Sequence, residues 1–404
     1  MRIAMVSDTG FSLVSGAARS VERLTVLFAR RGQEVLFLTS ASKRNQQVAH
    51  FPRITFRRFR GVPLPTHRDA YFALPFFMPV FQALKKHRVE VVHINETTFL
   101  GFSALVAAKT LNLPVVAHSH LQAENILENL GIQMKAMSPV INKYLTWFYN
   151  DADVVVFPSV FARRVLLDRG LTSPAVVVSN GVDRSIFHPR DVKILRRAWH
   201  VHEKKVLLYV GRLDPEKHLE EVVRALPQIV QAIPNAHLVI VGKGTQEAAL
   251  KKLVVSLHLQ SAVTFTGFVS DEDLPKIYGL GDLFVQPSYV ELQSMVLLEA
   301  MASGLPVLVS AGKDSAAPEL VDKNGLTFPP KNPVALAQNA IRLLTDDRMR
   351  KQCAVRSLAI AQKHDVMKTV ERLEAIDRDL VAAKPQKLVH RIGRRIRRLM
   401  IERS

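Results

Sequence analysis

The chain carries one cysteine in 404 residues, Cys353. That excludes an internal disulfide framework and a cysteine-rich metal site, and it fits a reducing compartment. Long apolar runs are missing too. The longest, Tyr71 to Leu84, is cut by Pro75 and Pro79 and is too short to span a bilayer. The N-terminus enters a strand-like RIAMVS with no basic-then-apolar leader, so no signal peptide is expected. No short-period repeat is visible, and no Gly-x-Gly-x-x-Gly follows the first strand-like run. The last shortage is acidic charge: 55 Lys and Arg stand against 36 Asp and Glu, a net +19.

That imbalance is uneven. Residues 1–190 hold 23 basic and 12 acidic side chains, and residues 384–404 hold 8 and 1, whereas 191–383 hold 24 and 23. A basic first half and a basic tail point to an anionic surface, either a membrane or nucleic acid, with plain solubility as the bland alternative. A hydrophobic content of 48% with 23% charged residues describes a globular chain, and the length suits two domains.

Short β-type runs alternate with helical patterns. In the first half the strand candidates are Arg2–Ser7, Glu34–Thr39, Ile54–Phe59, Val89–His93, Pro114–His118, Asp153–Pro158 and Ala175–Ser179. Helical patterns at Ala18–Arg31, Leu100–Thr110 and Phe161–Arg169 fall between them. NGVDRSIFHP, 180–189, reads as a turn and linker. The alternation then restarts at Lys205–Val210 and runs through a strand at Leu283–Gln286, a helix at Ser294–Met301 and a strand at Pro306–Ser310 to helices near 333–345, 348–363 and 366–382. The pattern predicts an α/β chain of two doubly wound, Rossmann-like domains facing a central cleft, with ligands beyond the carboxyl ends of the strands.

Several strand ends carry chemistry. Gly16-Ala17 opens a helix after the first loop, and small residues there let N–H groups approach a phosphate. His118-Ser119-His120 ends a strand; these histidines suit a sugar hydroxyl, a metal or a merely structural role. Gly211-Arg212-Leu213, with Lys217 five residues beyond Arg212, places two cations where a diphosphate would sit. Thr266-Gly267-Phe268-Val269 can read a nucleobase edge with its backbone. Glu291 and Glu299 flank the start of a helix in PSYVELQSMVLLEAMASGLPV. A helix mouth there suits a diphosphate, with both carboxylates free to accept hydroxyl bonds from nearly one face; two solvated glutamates are the plainer alternative. Asp151/Asp153 and Asp271/Asp273 read as a strand lead-in and a helix cap rather than metal sites. The tail repeats Leu388, Ile392 and Ile396 at helical spacing among Arg391, Arg394, Arg395, Arg397 and Arg398. That is a basic amphipathic helix suited to anionic lipid, with a nucleic-acid arm or packing on the first domain as alternatives. The aromatic run YFALPFFMPVF, near Arg53, Arg57, Arg58, Arg60 and Arg68, also suits a membrane interface.

Taken in order, SDTGFSLVSGAARSVERL, PVVAHSH, ADVVVFPS with NGVDRSIFHP, VGRLDPEKHLEEVVRAL, LVIVGKG, VTFTGFV and VELQSMVLLEAMASGLPV resemble the retaining, nucleotide-sugar-dependent glycosyltransferases of the GT-B fold. The likeness extends to about residue 380, and the last motif matches that family's two glutamates separated by seven residues. The resemblance implies roles by position. Arg212 and Lys217 would hold the donor diphosphate, Glu291 the donor sugar and Glu299 the ribose. Gly16 would face the phosphates, His120 would lie near the sugar, and Phe268 and Val269 would lie at the base. Gly211, Ser294, Met295 and Val296 complete the implied donor site. No metal or other cofactor is implied, because cations and a helix dipole would neutralise the leaving group. Ser294 stands where the family usually has glycine, and Ala17 where it often has a second glycine.

Gln293, the proline-rich loop around Pro63, Pro65, Tyr71 and Pro75, and the basic tail look most like the subgroup that glycosylates membrane lipids such as diacylglycerol. The expected activity is α-hexosyl transfer from UDP-glucose to a lipid at the cytoplasmic membrane face. Polysaccharide or phosphatidylinositol glycosylation is the nearer alternative, and nucleic-acid binding the distant one. The expected domains are 1–190 on the acceptor side and 191–365 for the donor. A helix over 366–383 is expected to cross back to the first domain, followed by the basic tail 384–404.

Overall fold

A computed structural model of the chain describes residues 1–11, 16–41, 51–63, 71–120 and 138–383. The tail with Arg391, Arg394, Arg395, Arg397 and Arg398 lies outside the described residues, as do Pro65 and Arg68. The chain divides into two compact units, Met1–Ser179 with the chain from Thr369 onward, and Asn180–Lys368.

The first unit runs β1 (Arg2–Val6), α1 (Gly16–Arg30), β2 (Glu34–Ser40), β3 (Ile54–Phe59), β4 (Gly61–Pro63), β5 (Tyr71–Ala73), α2 (Phe77–Lys86), β6 (Val91–Ile94), α3 (Phe99–Thr110), β7 (Val115–His118), α4 (Ser138–Asn150), β8 (Val154–Phe157), α5 (Val160–Leu167) and β9 (Ala175–Val177). Its main sheet has the order β3-β2-β1-β6-β7-β8-β9 and pairs parallel throughout. Parallel strands are covered on both faces, so they read as unbroken apolar runs such as VVVF in β8, all four residues buried. In α1 the buried Ala18, Val21, Thr25 and Phe28 recur at helical spacing, so one face packs on the sheet. Side-chain caps set other helix starts. Thr98 accepts from the Gly101 N–H at 3.3 Å and Ser159 from the Ala162 N–H at 3.0 Å.

The second unit contains α6 (Lys193–Ala198), β10 (Lys205–Val210), α7 (Leu219–Ala232), β11 (Ala236–Val241), α8 (Glu247–Ser256), β12 (Val263–Gly267), α9 (Leu274–Tyr278) and β13 (Leu283–Gln286). There follow β14 (Val290–Glu291), α10 (Met295–Ala302), β15 (Val307–Ser310), β16 (Asp314–Ser315), β17 (Gly325–Phe328), α11 (Pro333–Thr345) and α12 (Asp347–Lys363). Its main sheet has the order β12-β11-β10-β13-β15-β17. The two-residue period of a strand divides this core. Leu207, Tyr209, Leu238 and Ile240 join the cluster beneath α7, while Val206, Leu208, Val210, Val239 and Val241 join the cluster on the opposite face with α10. That is a doubly wound sheet with helices on both sides.

The expected boundary at residue 190 falls inside the second unit. The segment read as a linker is packed there: Val182 and Phe187 are buried in the α10 cluster, and Val182 bridges to Asp365. Burying two such side chains contributes about 1.5–3 kcal/mol each, so the segment has no reason to stay loose. The last helix, α13 (Val366–Ala382), is grouped with the first unit from Thr369 onward. The Thr369 hydroxyl donates to the Ser179 carbonyl at 2.8 Å, and Arg31 forks onto Glu374 at 2.9 and 3.1 Å. Among the described residues, no helix is long and apolar enough to cross a membrane.

Candidate active site

In the second unit the site begins with backbone against backbone. Gly242, at φ +132°, lies so near the turn after β10 that a Cβ there would stand 1.9 Å from the Gly211 carbonyl oxygen. A Cβ on Gly244 would meet the Leu213 backbone at 2.4 Å. The Gly211 N–H donates to the Val241 carbonyl and the Leu213 N–H to the Lys243 carbonyl, both at 3.0 Å. Only glycine permits this approach, and it fixes the turn that carries Arg212.

The two cations of that turn are placed differently. Arg212, 49% exposed, forks onto two acids of its own loop, Asp214 at 2.7 Å and Glu216 at 2.6 Å. Lys217 closes the short helical turn Pro215–Lys217 and donates from Nζ to Glu291 Oε1 at 2.8 Å. Gln286, at the end of β13, donates its amide to the same carboxylate oxygen at 3.1 Å. Sequence reasoning read Gln286 as a strand end and missed this contact; its signal was a polar residue closing a buried apolar strand. Distant chain segments therefore meet at Glu291 in a mostly buried cluster.

Glu291 and Glu299 do not share a helix face. Glu291 sits on β14, which pairs with β16, and α10 starts four residues later at Met295. Glu299 points into the core, where the Tyr278 hydroxyl donates to its Oε2 at 2.8 Å. Ser294 caps α10, its Oγ accepting from the Leu297 N–H at 3.3 Å. Its φ is −84°, a conformation open to any residue, so glycine is not required there. The Ser294 hydroxyl is buried and serves the helix. By helix geometry the Met295 and Val296 N–H groups have no intrahelical acceptor, and α10 turns its positive end toward the Glu291 side of the unit. Gln293, read as a mark of the acceptor subgroup, accepts from the Asn180 N–H at 2.8 Å. It therefore ties the former linker to this loop.

At the end of β12, Gly267 takes φ +69° and Phe268 is 59% exposed, while Val269 packs against the α10 cluster. An exposed ring beside an anchored neighbour is available to cover a flat ligand. Ser270 and Asp273 are joined ahead of α9, the Asp273 N–H donating to Ser270 Oγ at 3.2 Å, while the capping position of α9 is Asp273 itself and carries no side-chain cap.

In the first unit, Gly16 opens α1 and His120 follows β7 by two residues. His120 stacks on His118, with centroids 5.8 Å apart and planes 12° apart. Its Nε2 is buried with no hydrogen-bond partner among the described residues, and burial lowers its pKa to about 4. The ring is therefore neutral near pH 7 and can accept a hydroxyl proton. Behind it lies a network that spacing did not reveal. His118 Nε2 is 2.9 Å from His93 Nδ1, and His93 Nε2 is 2.9 Å from Asp377 Oδ1 on α13. All three side chains are buried, and burial also holds the His118 pKa well down.

A second buried network joins the strand ends of β1 and β6. Glu96 accepts from the Ser7 hydroxyl and the Asp8 N–H, both at 2.8 Å, and from the Thr9 hydroxyl. Asp8 accepts from the Ala73 N–H at 2.9 Å and the Thr98 hydroxyl at 2.5 Å. Burial first, then the neighbouring Glu96, push the Asp8 pKa up to about 8. The sign of the linkage follows. Between about pH 4 and 8 the folded chain holds a proton that the unfolded chain releases, so this group costs stability as pH rises. Asp8→Asn should flatten the fall in urea midpoint between pH 5 and 8, and equal slopes in variant and parent would refute the assignment.

The second unit joins a parallel main sheet with glycine-tightened strand ends to an acid–lysine pair before a helix start. A family model described as "Glycosyl transferases group 1" matches residues 175–357, and one described as "Glycosyltransferase Family 4" matches 14–186. The chain is 30% identical to a GDP-mannose-dependent alpha-mannosyltransferase of Mycolicibacterium smegmatis, over 79% of this chain and 82% of that one. It is 27% identical to an alpha-monoglucosyldiacylglycerol synthase of Streptococcus pneumoniae, over 76% and 70%. Among solved structures, Anabaena HepE in complex with UDP superposes with a TM-score of 0.78 at 21% identity, covering 93% of this chain and 99% of that one. The chain belongs to the group 1 glycosyl transferases and is an enzyme of the transferase class.

Proposed function

We propose that this enzyme is a retaining α-glycosyltransferase that moves glucose from UDP-glucose to a membrane lipid such as diacylglycerol, at the inner face of the membrane. The observation that carries the reading is the Lys217–Glu291 pair at 2.8 Å, set just before the start of α10. As the bond from the sugar's anomeric carbon to the diphosphate breaks, negative charge builds on the leaving oxygen. Lys217, Arg212 and the Met295 and Val296 N–H groups offset it. Glu291 holds the donor sugar, the ribose role implied for Glu299 requires its carboxylate to turn from the Tyr278 hydroxyl, and Gly211, Phe268 and Val269 line the path to the base. Ser294 holds the helix mouth. No metal or other cofactor is required in this scheme. The acceptor class is supported by the Streptococcus pneumoniae relative, an alpha-monoglucosyldiacylglycerol synthase.

A second reading, α-mannosyl transfer from GDP-mannose, is favoured by the Mycolicibacterium relative. A screen of labelled UDP-glucose, UDP-galactose and GDP-mannose against diacylglycerol and lipid extracts, with products read by mass spectrometry, separates the two. The expected product is an α-glucosyl lipid, formed equally well in EDTA. Mannosylated product alone would replace the first reading with the second, and loss of activity in EDTA would overturn the metal-free scheme.

A further inference from the structure

Two neighbouring helices of the first unit are apolar where they face solvent. α3, FLGFSALVAAKT, packs its inner side on the sheet through Leu100, Ala104 and Ala108. Its outer side repeats Phe99, Phe102 and Val106 at helical spacing, and Phe99 is 66% exposed. On α4 the exposed positions include Val140, Tyr144 and Trp147, the last 47% exposed. The two sets are continuous. The Phe102 and Trp147 rings lie 6.0 Å apart, and the Tyr144 hydroxyl donates to the Thr97 carbonyl at 2.9 Å. Phe76, 84% exposed, stands next to Pro75, whose carbonyl accepts from Ser103 of α3 at 3.1 Å.

A surface helix of a water-soluble face carries polar residues outward, and contiguous exposed aromatics mark an interaction surface. The charge pattern chooses the partner. Neither helix contains an acidic residue, and the charges they expose are Lys109 and Lys143. Amphipathic Trp and Tyr rings with lysines that extend past them suit the headgroup layer of an anionic bilayer. We infer that the outer face of α3 and α4 docks on an anionic phospholipid surface, with the Phe99, Phe102 and Trp147 rings entering the interface. The inference rests on the lipid-acceptor reading and adds the surface that brings the enzyme to its acceptor. It is independent of the basic tail.

The test uses the full chain with Trp199→Phe, which leaves Trp147 as the one tryptophan. With phosphatidylglycerol vesicles, Trp147 emission should shift to the blue and be quenched by brominated acyl chains. Phosphatidylcholine vesicles should give little of either. Phe99→Glu with Phe102→Glu should weaken vesicle binding at least tenfold. The same pair should lower transfer to vesicle-borne diacylglycerol while sparing transfer to a short-chain soluble diacylglycerol. Binding to vesicles without a change at Trp147 would assign the membrane contact to the tail and overturn the proposal. So would the absence of binding, or a solution dimer that shields Trp147. Quenching needs no turnover, so a failed donor or acceptor assignment would leave this result readable.

Discussion

Glu291→Gln should lower kcat by about 10²–10³-fold while leaving thermal unfolding within a few degrees of the parent. The carboxylate is mostly buried, receives Lys217 at 2.8 Å and Gln286 at 3.1 Å, and closes β14 four residues before α10. Glutamine keeps the shape and one acceptor oxygen. It loses the charge that holds Lys217 in place and the second strong acceptor for sugar hydroxyls. The loss should fall on kcat more than on KM for the nucleotide sugar, because nucleotide contacts lie elsewhere, at Gly211, Phe268 and Val269 on our reading. Steady-state kinetics with a labelled donor would check this, and turnover close to the parent's would sink the assignment of Glu291.

Lys217→Met should be nearly as damaging, by about 10²-fold in kcat, for two reasons that a double variant separates. The substitution removes a cation from the proposed diphosphate position. It also leaves the Glu291 carboxylate in a mostly buried place without its ion partner, which is costlier than never having the pair. If the two side chains act as one unit, Lys217→Met with Glu291→Gln should be little worse than the poorer single variant. Simple multiplication of the two losses would show that they act separately. Arg212 offers a contrast. Its guanidinium is half exposed and already bound by Asp214 and Glu216, so it must exchange those partners to reach a diphosphate. Its loss should therefore show more in donor KM.

Much of the architecture was legible because parallel strands buried on both faces leave continuous apolar runs, and β10 and β13 lie where the sequence places them. The elements that spacing missed are those without a clean period. α2 begins between the two prolines of an aromatic run, with Pro79 in its first turn, and β14 and β16 are two residues each, too short to show a pattern. The supposed linker was misread because Asn-Gly and Pro signal turns, while Val182 and Phe187, which bury it, look ordinary in sequence.

What the sequence determined alone was the class of fold, the two cations and two glutamates, and the glycines at the strand ends. Each is a local chemical choice repeated in a fixed order. Only the tertiary structure decided that Glu291 belongs with Lys217, 74 residues away, and not with Glu299 on one helix face. It alone showed Ser294, implied for the donor site, as a helix cap and Gln293, read as a mark of the acceptor subgroup, as a backbone tie. It alone joined Asp377 to His93 across 284 residues. The physical reason is the same in each case. A buried polar group takes whatever partner the packed chain brings within 3 Å, and that partner is set by the crossing of distant strands and helices rather than by spacing along the chain.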